Sequence, residues 1–312
     1  MGNYLGVIRH WVDFQNRFQS LFCIVDLHAL TVHQDPPVLR SKIREVAALL
    51  LAAGIDPTKG TLFVQSHVSA HSELAWILSC VIPMGWMERM TQFKEKSARQ
   101  NERVSVGLFD YPALMAADIL LYDTDVVPVG EDQRQHVELT RDTARRFNGM
   151  YGESFKMPEA LIPPKGARLM GLDDPNRKMS KSETGAGHAI HLLDSPDEVR
   201  RKIMGASTDS LREIRFDVGR PGIYNLLLIY ELLTGLDRDA IGARFEGKGY
   251  AQLKQEITDV IVETLIPIQG RFRDLISDVG NLESLLARGA ENARRRADRT
   301  LQRVKERIGI AG

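Results

Sequence analysis

The pattern that most restricts this chain is an alternation that stops partway along it. Three short strand-like runs lie in the first half, at residues 21–25, 61–65 and 125–129, the first of them continuously apolar. A short apolar run bounded by polar chain suits a strand buried on both faces. The segments 4–19, 39–53, 74–82, 111–122 and 131–147 between and around them have helical spacing. In the first of these, Leu5, Ile8, Trp11, Val12 and Phe18 make one apolar stripe. Strands alternating with helices predict an α/β fold with a parallel sheet. Such sheets bind ligands beyond the carboxyl ends of their strands, which directs attention to residues 26–33, 66–71 and 130–133. From about residue 194 the strand signal ends, and 195–204, 222–234, 238–245, 250–277 and 281–308 read as helices. The Gly/Ser-rich stretch 182–187 is the joint between them. The expected domains are therefore 1–187, with the sheet, and an all-helical 188–312.

Charge adds a restriction of its own. Lys+Arg and Asp+Glu are equal at 41 each, so the whole molecule has no net attraction for a polyanion and any nucleic-acid contact must be local. One local candidate is the last helical segment, with Arg288, Arg294, Arg295, Arg296, Arg299, Arg303, Lys305 and Arg307 against Glu291, Asp298 and Glu306. It reads equally as a solvated face or as an RNA-facing surface. Cys23 and Cys80 sit in apolar surroundings and are expected as buried free thiols in a reducing, cytoplasmic setting. The sequence has no apolar run long enough to span a membrane and no signal-peptide pattern, so no membrane partner is expected. His67 and His71 have i, i+4 spacing but no ligand-rich segment to accompany them, and no protein metal site is predicted. Thr140-Arg141-Asp142 reads as a structural ion-pair segment.

The strongest chemical signal is Lys178-Met179-Ser180-Lys181-Ser182, preceded by Asn176-Arg177. Two lysines three residues apart, with small hydroxyls between them and a Gly-rich stretch behind, form a cationic clamp suited to a triphosphate. A second signal lies in the segment 111–122, where Tyr111, Met115 and Asp118 share one helical face. A carboxylate in so apolar a helix is costly unless it is paired. Its partner is either structural or a ligand donor such as an indole N–H, which donates and cannot accept. Met115 would offer a polarizable wall to an aromatic ring. Gly130-Glu131-Asp132-Gln133 follows a strand and opens a helix, where backbone N–H groups are free to meet a ligand.

The five-residue lysine string is the KMSKS signature of class I aminoacyl-tRNA synthetases. Further stretches narrow the likeness: Tyr111-Pro112-Ala113-Leu114-Met115-Ala116-Ala117-Asp118, Gly130-Glu131-Asp132-Gln133, Cys23-Ile24-Val25-Asp26-Leu27-His28-Ala29, Met87-Glu88-Arg89-Met90-Thr91-Gln92-Phe93-Lys94-Glu95-Lys96-Ser97 and Pro221-Gly222-Ile223-Tyr224-Asn225. Together these resemble the bacterial tryptophanyl-tRNA synthetases from residue 2 nearly to the C-terminus. The resemblance implies a Rossmann-like, doubly wound parallel sheet followed by a helical tRNA- and anticodon-binding domain. It implies ATP with Mg²⁺, L-tryptophan and tRNA(Trp) as substrates, and a homodimer. Lys178, Lys181 and Lys96 would be catalytic, meeting the departing pyrophosphate. Gly2, Asn3, Gly130, Glu131, Asp132, Leu169, Met179, Ser180 and Ser182 would complete the ATP site with the two motif lysines. Asp118 would take the indole N–H, with Met115, Tyr111, Gln133 and His28 around the amino acid. The family's second signature survives only as Gly2-Asn3, so the opening strand and its ATP-wrapping turn are expected to be missing. Two alternatives stand beside this reading: the sister enzyme for tyrosine, and a truncated, catalytically impaired RNA-binding or interaction protein.

Overall fold

The computed structural model describes residues 1–90, 105–130, 133–162, 169–179 and 187–310. A π-helical turn at Tyr4–Ile8 leads into α1 (Arg9–Phe14), β1 (Ser20–Ile24), α2 (Asp26–Ala29), α3 (Pro36–Ala52), β2 (Gly60–Val64), α4 (Ala70–Ser79) and α5 (Met84–Glu88). Then follow α6 (Val106–Leu120), β3 (Val126–Pro128), α7 (Arg134–Tyr151) and β4 (Glu159–Leu161). The remainder is helical: α8 (Pro196–Met204), α9 (Pro221–Thr234), α10 (Arg238–Phe245), α11 (Tyr250–Ser277) and α12 (Val279–Ile308).

All described strand pairings are parallel, as the apolar runs predict. β1 pairs with β2 from Ser20↔Gly60 to Ile24↔Val64, and β3 pairs with β4 from Val126↔Glu159 to Pro128↔Leu161. Among the described residues no ladder joins the two pairs, so the sheet appears as two parallel ribbons. β4 was not expected; three residues are too few to carry a readable period. The onset of the all-helical part is placed by a cap. Ser195 Oγ accepts from Glu198 N while Glu198 Oε2 accepts from Ser195 N, and Pro196 opens α8 with its fixed φ.

The contacts divide the chain into two compact units, both discontinuous in sequence. One contains Met1–Phe18, Ala48–Asp56 and Lys165–Asp278; the other contains Gln19–Ala47, Pro57–Pro164 and Val279–Gly312. The first has a core of Leu5, Ile190, Val199, Ile203, Ile223, Leu227, Tyr230, Phe245, Leu253 and Ile257. The second centres on β2, whose Leu62, Phe63 and Val64 are all buried. Full burial of a large apolar side chain contributes roughly 1.5–3 kcal/mol. One face of β2 is covered by α12, which presents the small residues Gly289, Ala290, Ala293 and Ala297. Contact there is backbone to backbone: a Cβ built on Gly289 would lie 1.9 Å from the Leu62 carbonyl oxygen.

That contact makes Gly289→Ala a sensitive probe. The helix must lift off the strand, at a cost of about 1–3 kcal/mol or more. Gly270→Ala in α11, where a Cβ meets nothing within 4 Å, should instead be neutral or gain up to about 1 kcal/mol of helix propensity. Urea unfolding midpoints read the difference. An unchanged midpoint for Gly289→Ala would rule out the close approach.

Candidate active site

In the second unit the polar residues gather at the carboxyl ends of β1 and β2. Asp118 occupies the last turn of α6, a helix started by Ser105, whose Oγ accepts from Leu108 N. Its carboxylate is 12% exposed and meets three donors. His28 Nε2, on α2 just beyond β1, donates to Oδ2 at 2.8 Å. Gln65 Nε2, just beyond β2, donates to Oδ1 at 2.7 Å, and His71 Nδ1 on α4 reaches the same oxygen at 2.6 Å. A carboxylate only accepts, so His71 bears a proton on Nδ1 here, and its Nε2 lies 2.7 Å from the Tyr122 hydroxyl. Gln65 is itself held, because its Oε1 accepts from Leu27 N. Ser66 donates to Asp26 through both its backbone N and its hydroxyl, tying the two strand-end loops together.

These contacts set the charge states. Burial pushes the Asp118 carboxyl up, but the His28 and His71 hydrogen bonds outweigh it and the net direction is down. Burial raises the Tyr111 phenol to about 12, so it remains a neutral hydrogen-bonding group. Its hydroxyl lies 2.9 Å from His136 Nε2, and its ring meets the His28 ring edge-on with centroids 6.3 Å apart. Tyr111 and Asp118 therefore both address His28, as a shared helical face predicts. Met115 and Gln133 are half-buried, and Gln133 N donates to the Gly130 carbonyl at the opening of α7. Gly130 itself is exposed.

The first unit carries the start of the lysine motif on a small antiparallel ribbon. Met170 bridges to Lys178, Met179 N donates to Leu169 O at 2.9 Å, and Gly171 N donates to Arg177 O at 2.7 Å. Asn225, from the Pro-Gly-opened helix α9, brackets Met170 by accepting from its N and donating to its O, both at 2.9 Å. Gly2 lies against this ribbon, its Cβ position 3.5 Å from the Met179 carbonyl oxygen. Gly2, Leu169, Lys178 and Met179 are thus brought together, with the Lys178 side chain exposed. Asn3 is exposed and makes no side-chain cap. Lys96, Glu131, Asp132, Ser180, Lys181 and Ser182 lie outside the described residues.

Two expectations change. Cys80 is exposed rather than buried, because it falls just past the end of α4, off the helix's apolar stripe. The 140–142 segment is structural as expected: Asp142 pairs with Arg145, and Arg141 donates to the Pro158 carbonyl. On α12, Arg294 holds His67 O, Arg303 holds Ser154 O and Asp123, and Lys305 holds Glu73, so these three cations serve the unit's own packing. Arg288, Arg295, Arg299 and Arg307 remain exposed. Gln65, His71 and Tyr122 join the cluster around Asp118 without having been singled out for it from the sequence. The available signal was His71 itself, a polar side chain on the buried stripe of Ala70, Leu74, Ala75 and Leu78.

The sign of the Asp118 shift fixes a pH dependence. Its folded pKa lies below the unfolded value of about 3.9, so its stabilisation is complete above that value and is lost as pH falls through the folded pKa. Asp118→Asn sets an amide NH₂ against the ring donors and should cost on the order of 1–3 kcal/mol at neutral pH. It should also flatten the acid limb of stability. Urea unfolding of both forms from neutral pH down to about pH 3 tests this, and parallel curves would contradict it.

The chain's likeness to known proteins extends over its whole length. The family model for tRNA synthetases class I (W and Y) matches residues 1–265. A tryptophan–tRNA ligase of Wolinella succinogenes is 55% identical over 310 residues, covering 99% of this chain and 94% of that protein. The crystal structure of tryptophanyl-tRNA synthetase from Mycoplasma pneumoniae matches with a TM-score of 0.89 at 36% identity, over 99% of this chain and 93% of the other. That from Campylobacter jejuni, complexed with ADP and tryptophan, matches at 0.87 and 37%, over 99% and 95%. With its parallel strands, its apolar helix bearing Asp118 and its lysine motif, the chain belongs to the class I tRNA synthetases of the tryptophan and tyrosine type, among the tryptophan–tRNA ligases with their Rossmann-like catalytic fold.

Proposed function

We propose that this chain activates L-tryptophan with Mg²⁺-ATP and transfers it to tRNA(Trp), using the residues assigned above. The observation that carries the pocket assignment is the Asp118 carboxylate. It has about four lone-pair sites. Among the described residues Oδ1 takes two donors and Oδ2 takes one, which leaves Oδ2 able to accept a further N–H. An indole N–H is such a donor, and Met115, Tyr111, His28 and Gln133 would surround the rest of the amino acid. The Campylobacter jejuni relative, solved with ADP and tryptophan, supports both substrates.

In the first step the tryptophan carboxylate attacks the α-phosphorus in line. A new P–O bond forms, the bond to the β-phosphate bridging oxygen breaks, and pyrophosphate leaves with its charge. Lys178, Lys181 and Lys96 meet that growing charge, which is where positioned cations act most strongly. Gly2, Asn3, Leu169 and Met179 hold the nucleotide along with Gly130, Glu131, Asp132, Ser180 and Ser182. In the second step a hydroxyl of the tRNA's terminal ribose attacks the acyl carbonyl and AMP departs. We assign catalysis to residues 1–187 and tRNA and anticodon binding to 188–312. The exposed arginines of α12 are candidates for phosphate contact. A homodimer in the cytoplasm completes the reading; no helix among the described residues is long and apolar enough to cross a membrane.

Two measurements test it. ATP–pyrophosphate exchange should depend on tryptophan and be weaker by orders of magnitude with phenylalanine, which lacks the donor, and with tyrosine, which lacks the indole shape. Equal rates with tyrosine and tryptophan would refute the pocket. Lys181→Ala should slow single-turnover adenylate formation while leaving tryptophan affinity nearly intact, because a cation facing the leaving group acts on the transition state. Loss of tryptophan affinity with an intact chemical step would move the motif elsewhere.

A further inference from the structure

Behind the lysine motif sits a histidine that none of the chemistry above uses. His188 is 3% exposed. Its Nδ1 is 2.6 Å from Asp173 Oδ1 and its Nε2 is 3.0 Å from the carbonyl oxygen of Lys178. Space for the ring comes from Gly171, where a Cβ would lie 2.2 Å from His188 Cε1. The ribbon is pinned from another side by Ser207, whose N donates to Leu172 O at 2.7 Å and whose hydroxyl donates to Asp173 O at 2.6 Å. His188 also returns a main-chain bond, its carbonyl accepting from Leu172 N at 3.0 Å. The ring is therefore built into the base of the motif.

The two partners dictate the protonation of the ring. A peptide carbonyl can only accept, and so can an ionised carboxylate. Asp173 is ionised on two grounds. Its side chain is 47% exposed, and although burial pulls its carboxyl up, the bonds from His188 and from the Asp174 backbone outweigh that and hold it down. Both ring nitrogens must then donate, which only the imidazolium does. Among the described residues, the charged side chains of the 169–179 ribbon are Asp173, Asp174, Arg177 and Lys178, and the 205–207 turn against Asp173 carries no charge.

We infer that His188 is a positioning residue: as an imidazolium clasped between Asp173 and the Lys178 carbonyl, it fixes the main chain from which the Lys178 side chain reaches the ATP phosphates. This rests on the phosphate role given to Lys178 above. A lysine on a long, flexible stem is a useful electrostatic catalyst only if its root is fixed, since misplacement by about 1 Å can cost on the order of a hundredfold. Raising the pH removes one ring proton and with it one of the two bonds. The clasp is thus present on the acid side of the ring's titration and lost on the alkaline side.

Two experiments on the full chain test the inference. Imidazole ¹⁵N NMR of the parent should show both His188 nitrogens protonated at neutral pH, and Asp173→Asn should convert the ring to a singly protonated form. His188→Asn, which can supply one neutral donor, should slow single-turnover adenylate formation on the order of ten- to a hundredfold and flatten its alkaline limb, with tryptophan affinity unchanged. A bare Nε2 or Nδ1 in the parent at neutral pH overturns the clasp whatever the variants do, and this readout does not depend on a variant folding. Lys178→Ala separates the inference from its foundation. If Lys178→Ala leaves the rate intact, the phosphate role falls and the positioning role falls with it. If Lys178→Ala is slow while His188→Asn keeps the parent's rate and pH profile, the positioning role alone is overturned.

Discussion

Burying a carboxylate is among the costlier acts a small polar site can perform, and Asp118 performs it within an apolar helix. Desolvation on this scale is tolerated only when donors are arranged in advance. Here they come from three different elements: α2, the end of β2, and α4. Two of the three donors are in turn held by a further group, Leu27 N for Gln65 and the Tyr122 hydroxyl for His71. Much of the second unit's local geometry answers to that requirement. Two parallel strands must end at the same level, a short helix must start at once after β1, and α6 must present its last turn to both. The indole role proposed for Asp118 draws on the residual capacity of the same oxygens, because a hub with every lone pair filled could not also accept from a substrate.

The same economy governs the lysine motif. Its described start is a ribbon of a few residues with little apolar area of its own, yet it is bracketed by Asn225, His188 and Ser207. Small residues supply the space: Gly171 beneath the histidine ring, and Gly222 at the opening of α9, where a Cβ would meet the Ser207 carbonyl oxygen at 2.4 Å. The Pro221-Gly222 pair therefore serves two ends, starting the helix and admitting the turn that pins the ribbon.

Some of this was legible in the residues. Periodicity located β1, β2 and β3 to within a residue or two and gave α10 and α11 their observed limits. The Tyr111, Met115 and Asp118 face was readable because helical spacing is geometry, and the lysine string because phosphate chemistry restricts composition. The partners of Asp118 were less legible. Gln65 and His71 lie 53 and 47 residues from it, and local pattern does not report which polar groups a fold will bring together. His71 stood out only as half of a possible metal pair. The basic character of α12 was plain, but its division into cations that hold Glu73, Asp123 and the backbone and cations left to solvent depends on packing. Very short elements such as β4 and α2 carry too few residues for any period to emerge.

The seating of α12 on β2 has a consequence for how the chain comes into being. Synthesis proceeds from the N-terminus, and units fold as their parts emerge. The strand that centres the second unit is made early, whereas the helix that rests on its carbonyls is made late. The bond from Arg294 to the His67 carbonyl spans 227 positions. Until α12 arrives, the buried face of Leu62, Phe63 and Val64 has no cover from it, and the residues between must be threaded and packed meanwhile. Closing so long a loop is slow compared with forming the local helices of residues 196–277. The nascent protein thus has an interval in which the strand ends that will hold Asp118 are present but uncovered. Until the late helix covers it, the apolar strand is open to pairing between neighbouring nascent chains, which competes with α12 for the same face.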